Sequence, residues 1–160
     1  MNDTLQINAS GERDIVMTRE FDAPRELVWD AWTKPELLKR WLGVRGGWTF
    51  PVCEVDLVVG GKYRWVWRGP DGTEMGVSGE YREIVAPERL VATEEFDDAW
   101  YEGDCLNTIE LTERDGRTTV TTTMHLDNAT IRDGVLAGPM AGGVSESYDV
   151  LAQVLADEQR

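Results

Sequence analysis

The chain predicts an α+β fold, a curved antiparallel sheet of about seven strands wrapped on a long C-terminal helix. Three observations carry that prediction. Two short amphipathic segments lie in Arg19–Leu42, between the first strand pattern and all the later ones. A series of alternating, turn-punctuated segments then fills the middle of the chain. Past Asp127 the apolar spacing changes from two to three and four, which is the change from strand to helix.

Taken in order, residues 1–11 are polar and read as a flexible tail, leaving 12–160 as a single domain that one core can hold. Asp14–Phe21 is the first strand. Asp22 and Pro24 then mark a helix start, and Leu27, Val28, Ala31 and Trp32 recur on one face of that helix. Thr33-Lys34-Pro35-Glu36 has the form of a capping box and restarts the chain as a second helix, with Leu37, Leu38, Trp41 and Leu42 on its buried side. These two helices are expected to close one end of the sheet, with Trp32 and Trp41 against its mouth. Phe50–Val58 alternates Cys53, Val55 and Leu57 against Glu54 and Asp56. Lys62–Arg68 is the clearest strand, with Tyr63, Trp65 and Trp67 on one face and Lys62, Arg64 and Arg68 on the other. After the Pro70-Asp71-Gly72 turn, Glu74–Ile84 sets Met75, Val77 and Tyr81 on one side. Arg89–Phe96, Cys105–Thr112 and Arg117–Leu126 complete the sheet, and Asp97–Gly103 is a loop holding Trp100 and Tyr101. Asn128 or Thr130 caps a short helix that Gly138-Pro139 interrupts. Met140, Val144, Tyr148, Leu151 and Leu155 define the closing helix. Gly142 and Gly143 weaken that helix, for which a close approach to the sheet or room for a ligand is the expected reason.

Seven tryptophans in 160 residues either fill a core or line a cavity between sheet and helix. The net charge of −14 is unevenly spread: residues 71–115 hold fourteen acidic and three basic groups, whereas residues 1–70 are neutral. Solvated outer faces explain this surplus, and an acidic docking surface for a basic partner is the alternative. Nucleic acid is excluded as a partner because no basic patch is present. No apolar run reaches the length needed to span a membrane. Met1–Gly11 lacks the apolar core of a signal peptide, so a cytoplasmic protein with reduced Cys53 and Cys105 is expected.

Chemistry-bearing residues are sparse. His125 is the sole histidine, and alternation places it outward while Val120, Thr122 and Met124 look inward. A general base must face its substrate, so no catalytic role is assigned to it. Cys53 reads as a buried, inert thiol, and Cys105 borders acidic residues that raise a thiol pKa. One histidine and two distant cysteines make no zinc site. Glu94, Glu95, Asp97, Asp98, Glu102 and Asp104 form the densest carboxylate cluster; it lacks the spacing of a calcium loop and reads as solvated. No nucleotide-binding, nucleophile-elbow or metalloprotease motif occurs, and no cofactor or catalytic residue is expected. The ligand-facing candidates are Trp41, Tyr63, Trp65, Trp67, Met75, Tyr81, Met124, Met140 and Tyr148, with simple core filling as their alternative.

Four blocks carry a resemblance: REFDAPRELVWDAWTKPELLKRWLG (Arg19–Gly43), VGGKYRWVWR (Val59–Arg68), GEYREIVAPERLVATEEFDDAWYEG (Gly79–Gly103) and GPMAGGVSESYDVLAQVLA (Gly138–Ala156). On these, the chain resembles the SRPBCC (START-like, helix-grip) superfamily, in its bacterial branch similar to the C-terminal domain of the activator of Hsp90 ATPase. The resemblance implies an apolar cavity that binds a small hydrophobic molecule. It also raises a chaperone as a partner, with a cyclase or hydrolase as a third alternative. A monomer or homodimer is expected. The chain departs from many relatives at Gly143-Val144, where they carry a tryptophan.

Overall fold

The computed structural model describes residues 4–44, 46–98 and 105–160. Among them lie the strands β1 (Gln6–Ser10), β2 (Asp14–Phe21), β3 (Thr49–Val55), β4 (Lys62–Arg68), β5 (Glu74–Val85), β6 (Arg89–Phe96), β7 (Cys105–Arg114) and β8 (Arg117–His125). Helices α1 (Arg25–Thr33) and α2 (Pro35–Trp41) interrupt the strands after β2, and α3 (Ala129–Ala137) and α4 (Met140–Glu158) follow β8. All neighbouring strands pair antiparallel, in the order β1-β2-β8-β7-β6-β5-β4-β3. The sheet curves around α4, as the sequence predicted. No described helix is long and apolar enough to cross a membrane. Trp100 and Tyr101, with Glu102 and Asp104, lie outside the described residues.

The pleat sorts side chains by parity. On β2, Ile15, Met17, Arg19 and Phe21 are buried; on β8, so are Thr118, Val120, Thr122 and Met124. Across the barrel mouth a ring cluster forms from four elements. Trp32 and Trp41 lie 4.8 Å apart between centroids, Trp32 and Tyr148 5.6 Å, and Phe21 and Tyr148 5.8 Å. Trp41 Nε1 donates to the Ala31 carbonyl at 2.9 Å, which satisfies the one polar atom this indole buries. The two short helices therefore seal the end of the sheet.

Three local expectations are corrected. Residues 6–10, inside the stretch expected to be a flexible tail, form an eighth strand on the edge of β2, in register from Gln6↔Thr18 to Ser10↔Asp14. Only Ile7 and the preceding Leu5 bring this segment to the core, so apolar alternation is too weak there to announce a strand; the ladder to β2 holds it. The capping box also fails. The Thr33 hydroxyl donates back to the Trp29 carbonyl at 2.9 Å, and Lys34 becomes the N-cap of α2 with no side-chain cap and Pro35 next to it. Nor does Asp22 cap α1; its N-cap is Pro24, and the Arg25 N–H donates to Glu113 Oε1 of β7 at 2.6 Å. Asn128 does cap α3, accepting from the Ile131 N–H at 2.9 Å.

Gly142 meets nothing within 4 Å of the place a Cβ would occupy, so close approach does not explain it. Gly142→Ala is expected to stabilise the protein by about 1 kcal/mol through helix propensity. A higher urea midpoint at unchanged slope would report this; an unchanged midpoint would refute it.

Candidate functional site

The inner face of β3–β7 is built of rows of residues paired across strands. One row runs Cys53, Trp65, Val77 and Phe96. The next runs Val55, Tyr63 and Gly79; the flanking pairs Ser78↔Glu95 and Tyr81↔Ala92 set Gly79 opposite Glu94, and Glu94 pairs with Cys105. A third runs Tyr81, Ala92, Asn107, Met124 and Ile15.

Gly79 is the hinge of this arrangement. A Cβ there would lie 1.9 Å from the Thr93 carbonyl oxygen and 2.5 Å from Tyr63 Cε1. The bare backbone lets the Tyr63 ring lie across β5 and donate its phenol to the Thr93 carbonyl at 2.6 Å. Gly79→Ala is expected to expel that ring and cost about 1–3 kcal/mol as an overpacked site does. Loss of near-ultraviolet tyrosine signal together with a lower unfolding midpoint would confirm it. Gly43 plays a like role for Trp67: its φ of +72° and lack of a Cβ, which would fall 2.5 Å from Trp67 Nε1, let that indole donate to the Leu42 carbonyl at 2.8 Å.

The aromatic strip is continuous. Tyr63 and Trp65 have centroids 4.5 Å apart, Tyr63 and Tyr81 5.6 Å, Trp65 and Trp67 6.1 Å, and Phe50 covers Trp67 at 5.1 Å. Tyr63, Trp67 and Tyr81 are buried, and Trp65 is partly accessible. Among the described residues the Trp65 indole N–H is buried without a hydrogen-bond partner. Burial raises the phenol pKa values of Tyr63 and Tyr81, so both stay neutral donors.

Beside this strip lies a group that reading the sequence missed. Glu94 was grouped with the solvated acidic run, yet it shares the inner parity of Leu90 and Ala92, while its neighbour Glu95 is exposed. Period two along β6 was the signal that could have found it. Glu94 Oε2 accepts from Asn107 Nδ2 at 2.8 Å, and the Cys105 thiol donates to Asn107 Oδ1 at 3.6 Å. Protein surrounds the carboxyl, while the residue as a whole keeps some accessible surface. Burial raises its pKa, and the Asn107 hydrogen bond opposes this only in part. Cys105 is likewise pushed up, first by burial and then by Glu94. Cys53 is raised to about 11 by burial, with Lys39 opposing and Glu36 adding. Neither thiol is a nucleophile at neutral pH.

The other candidates fall in different places. Trp41 and Tyr148 belong to the sealed ring cluster, and burial raises the Tyr148 phenol. The Thr122 hydroxyl sits beside that phenol, close enough to influence it but without a well-formed hydrogen bond. Met124 and Met140 join a second apolar cluster with Ile15, Met17, Cys105 and Leu126. Met75 is 44% exposed although its cross-strand partner Trp67 is buried, and among the described residues it is no part of an interior site. His125 faces outward and hydrogen-bonds Asp14 across the β2–β8 pair.

Two clefts open elsewhere. One of about 410 Å³ lies between β2 and the C-terminal half of α4, lined by Arg19, Phe21, Arg117 and Leu155. Its arginines are committed: Arg19 to Asp149 at 2.8 Å and Arg117 to Asp22 at 3.4 Å. The other, about 530 Å³, opens beside Val55, Tyr63 and Arg64 at the β3–β5 end of the aromatic strip. On the outer face, acids of the middle segment hold arginines: Asp97 with Arg64 through two hydrogen bonds of 2.6 Å each, Glu74 with Arg68, Glu80 with Arg82, and Glu83 and Glu110 with Arg89. These five acids are thus paired within the chain. Among the described residues no three His, Cys, Asp or Glu side chains gather as a metal site.

A model of the family described as Activator of Hsp90 ATPase homolog 1-like protein matches residues 22–156. A solved protein from Rhodobacter sphaeroides is 33% identical, with a TM-score of 0.91 over 97% of this chain and 99% of that one. One from Nitrosomonas europaea is 28% identical, with a TM-score of 0.81 over 94% and 99%. An HSP90 activator from Plasmodium falciparum is 28% identical, with a TM-score of 0.55 over 71% of this chain and 72% of that one. No curated protein matches. A sheet gripping its C-terminal helix, two short helices after the second strand, and a family match across most of the chain converge: this protein belongs to the Activator of Hsp90 ATPase homolog 1-like family.

Proposed function

We propose that this protein binds a small, largely apolar molecule between the inner face of the sheet and α4. The observation that carries the reading is Trp65, an indole on a continuous aromatic strip whose N–H is buried without a partner. Leaving such a donor unmet costs about 1–3 kcal/mol, which a ligand acceptor would remove. Burial of apolar ligand surface adds about 25 cal/mol per Å² before the costs of association. The protein acts in the cytosol, as a monomer or homodimer, and needs no cofactor for this role.

Titration with long-chain alcohols and polycyclic aromatic polyketides is expected to change tryptophan fluorescence and raise the melting temperature. Trp65→Phe keeps the ring stack and removes the N–H; it is expected to weaken the best ligand by about 5–10-fold, the worth of one hydrogen bond. Absence of any response in the folded wild type would overturn the reading. A second reading, contact with a chaperone of the Hsp90 class, draws on the likeness to the Plasmodium falciparum activator. It predicts retention on immobilised Hsp90 at low salt that fades as salt rises, and no retention at low salt would remove it.

A further inference from the structure

A carboxyl placed inside a protein ordinarily has a cation near it or several donors around it. Among the described residues Glu94 has neither: its hydrogen bond is the one from Asn107. The groups facing it are uncharged at neutral pH or apolar. From β4 comes the Tyr63 ring, laid across Gly79; from β5, Tyr81; from β7, Cys105 and Asn107. From α4, Met140 and Val144 pack against the cluster that contains Cys105. The two buried arginines of the described residues are committed elsewhere. Arg19 is tied to Asp149, and Arg132 binds Asp133 and the carbonyls of Gly11 and Asp14.

Three features of this place share one electrostatic sign. The carboxyl supplies a negative charge when ionised. The faces of Tyr63, Trp65 and Tyr81 carry the negative side of the aromatic quadrupole, in centroid contacts of 4.5 and 5.6 Å. The chain as a whole carries −14, which draws cations toward any opening. A ligand with an anionic end meets repulsion from the ring faces, from the net charge and, once it is ionised, from the carboxyl. A neutral ligand gains only from burial and from hydrogen bonds to Trp65 or Glu94.

We infer that the molecule held on this aromatic strip is cationic, an amine or quaternary ammonium on an apolar body that also carries an acceptor for the Trp65 N–H, with Glu94 as its counter-ion. The inference rests on the proposed binding role and names the class of ligand for it. Glu94 supplies charge complementarity and Asn107 orients its carboxylate, while Tyr63, Trp65 and Tyr81 take the body and the cation's flank. Burial raises the Glu94 pKa and a quaternary ammonium seated beside it favours the ionised form, so any proton the carboxyl carries leaves to solvent as the ligand seats.

Calorimetry with three probes of one shape tests this: (1-naphthylmethyl)trimethylammonium, the neutral ketone 1-acetonaphthone, and 1-naphthaleneacetate. The ammonium is expected to bind about 10-fold or more tightly than the ketone, with the carboxylate weakest. The gap should widen as pH rises from 6 to 8.5, and buffers of different ionisation enthalpy should reveal proton release for the ammonium alone. In Glu94→Gln the gap is expected to shrink to about twofold with no proton released, whereas Glu95→Gln on the outer parity should leave it intact. Ketone binding equal to or tighter than ammonium binding, or a gap that survives Glu94→Gln in a folded variant, would overturn the charge inference. If all three probes bind alike with a Trp65-dependent response, the cavity stands and the cation falls. If none binds the folded protein, both fall.

Discussion

Truncating Trp41 to alanine is expected to cost about 3–5 kcal/mol of folding stability, the upper range for a buried aromatic. The residue is 1% exposed. Its ring packs on Trp32 at 4.8 Å and on Tyr148 at 6.1 Å, so its loss empties the point where α2, α1 and α4 meet. Removal also leaves the Ala31 carbonyl without the indole N–H at 2.9 Å. Trp41→Phe separates these contributions, since it keeps much of the volume but not the donor; a loss of about 1–3 kcal/mol is expected for it. Urea unfolding followed by far-ultraviolet circular dichroism measures both. A loss below about 1 kcal/mol in Trp41→Ala would show that α2 does not close the core.

The second large effect concerns pH. Glu94 has a higher pKa in the folded chain than the ordinary carboxyl value it regains on unfolding. Between those two values the native state holds a proton that the unfolded chain has released, so stability falls as pH rises. The fall begins near the unfolded value of 4.5 and continues until the folded pKa is passed. Glu94→Gln removes this titration while keeping shape and a hydrogen bond to Asn107. Wild type is therefore expected to lose stability relative to Glu94→Gln at up to about 1.4 kcal/mol per pH unit above that start. Paired urea titrations from pH 4.5 to 8 read the difference. Parallel pH profiles for the two proteins would refute the buried, proton-holding carboxyl.

Much of the architecture was legible in the residues. Tyr63, Trp65 and Trp67 alternate without a break, and β4 lies where that alternation puts it. Met140, Val144, Tyr148 and Leu151 recur at helical spacing along α4. These signals are strong because a face buried along its whole length must repeat at the period of its backbone. Where burial is patchy the signal fades. Ile7 marks β1 almost alone, and Met75 has inward parity but no core above it.

Capping was read less well, for a different reason. Thr33 and Glu36 have the spacing of a reciprocal cap, but spacing cannot tell whether a hydroxyl turns forward or back. It turns back to Trp29, and the donor at the start of α1 is met by Glu113, eighty-eight residues away. Partners that come from another strand leave no mark on the local sequence.

The sequence by itself determined the order of elements from β2 onward, the α+β class, the family and the aromatic strip, since all of these depend on periodicity and on ordered blocks of residue types. Only the tertiary structure decided which polar groups the interior holds. Glu94 and Glu95 are chemically the same and adjacent, and strand parity, set by the pairing of Glu94 with Cys105, turns one toward the core and the other toward solvent. Whether that inner carboxyl meets a cation depends on what three neighbouring strands and a helix bring around it. Those neighbours come from residues 63 to 144, a span no local pattern reaches.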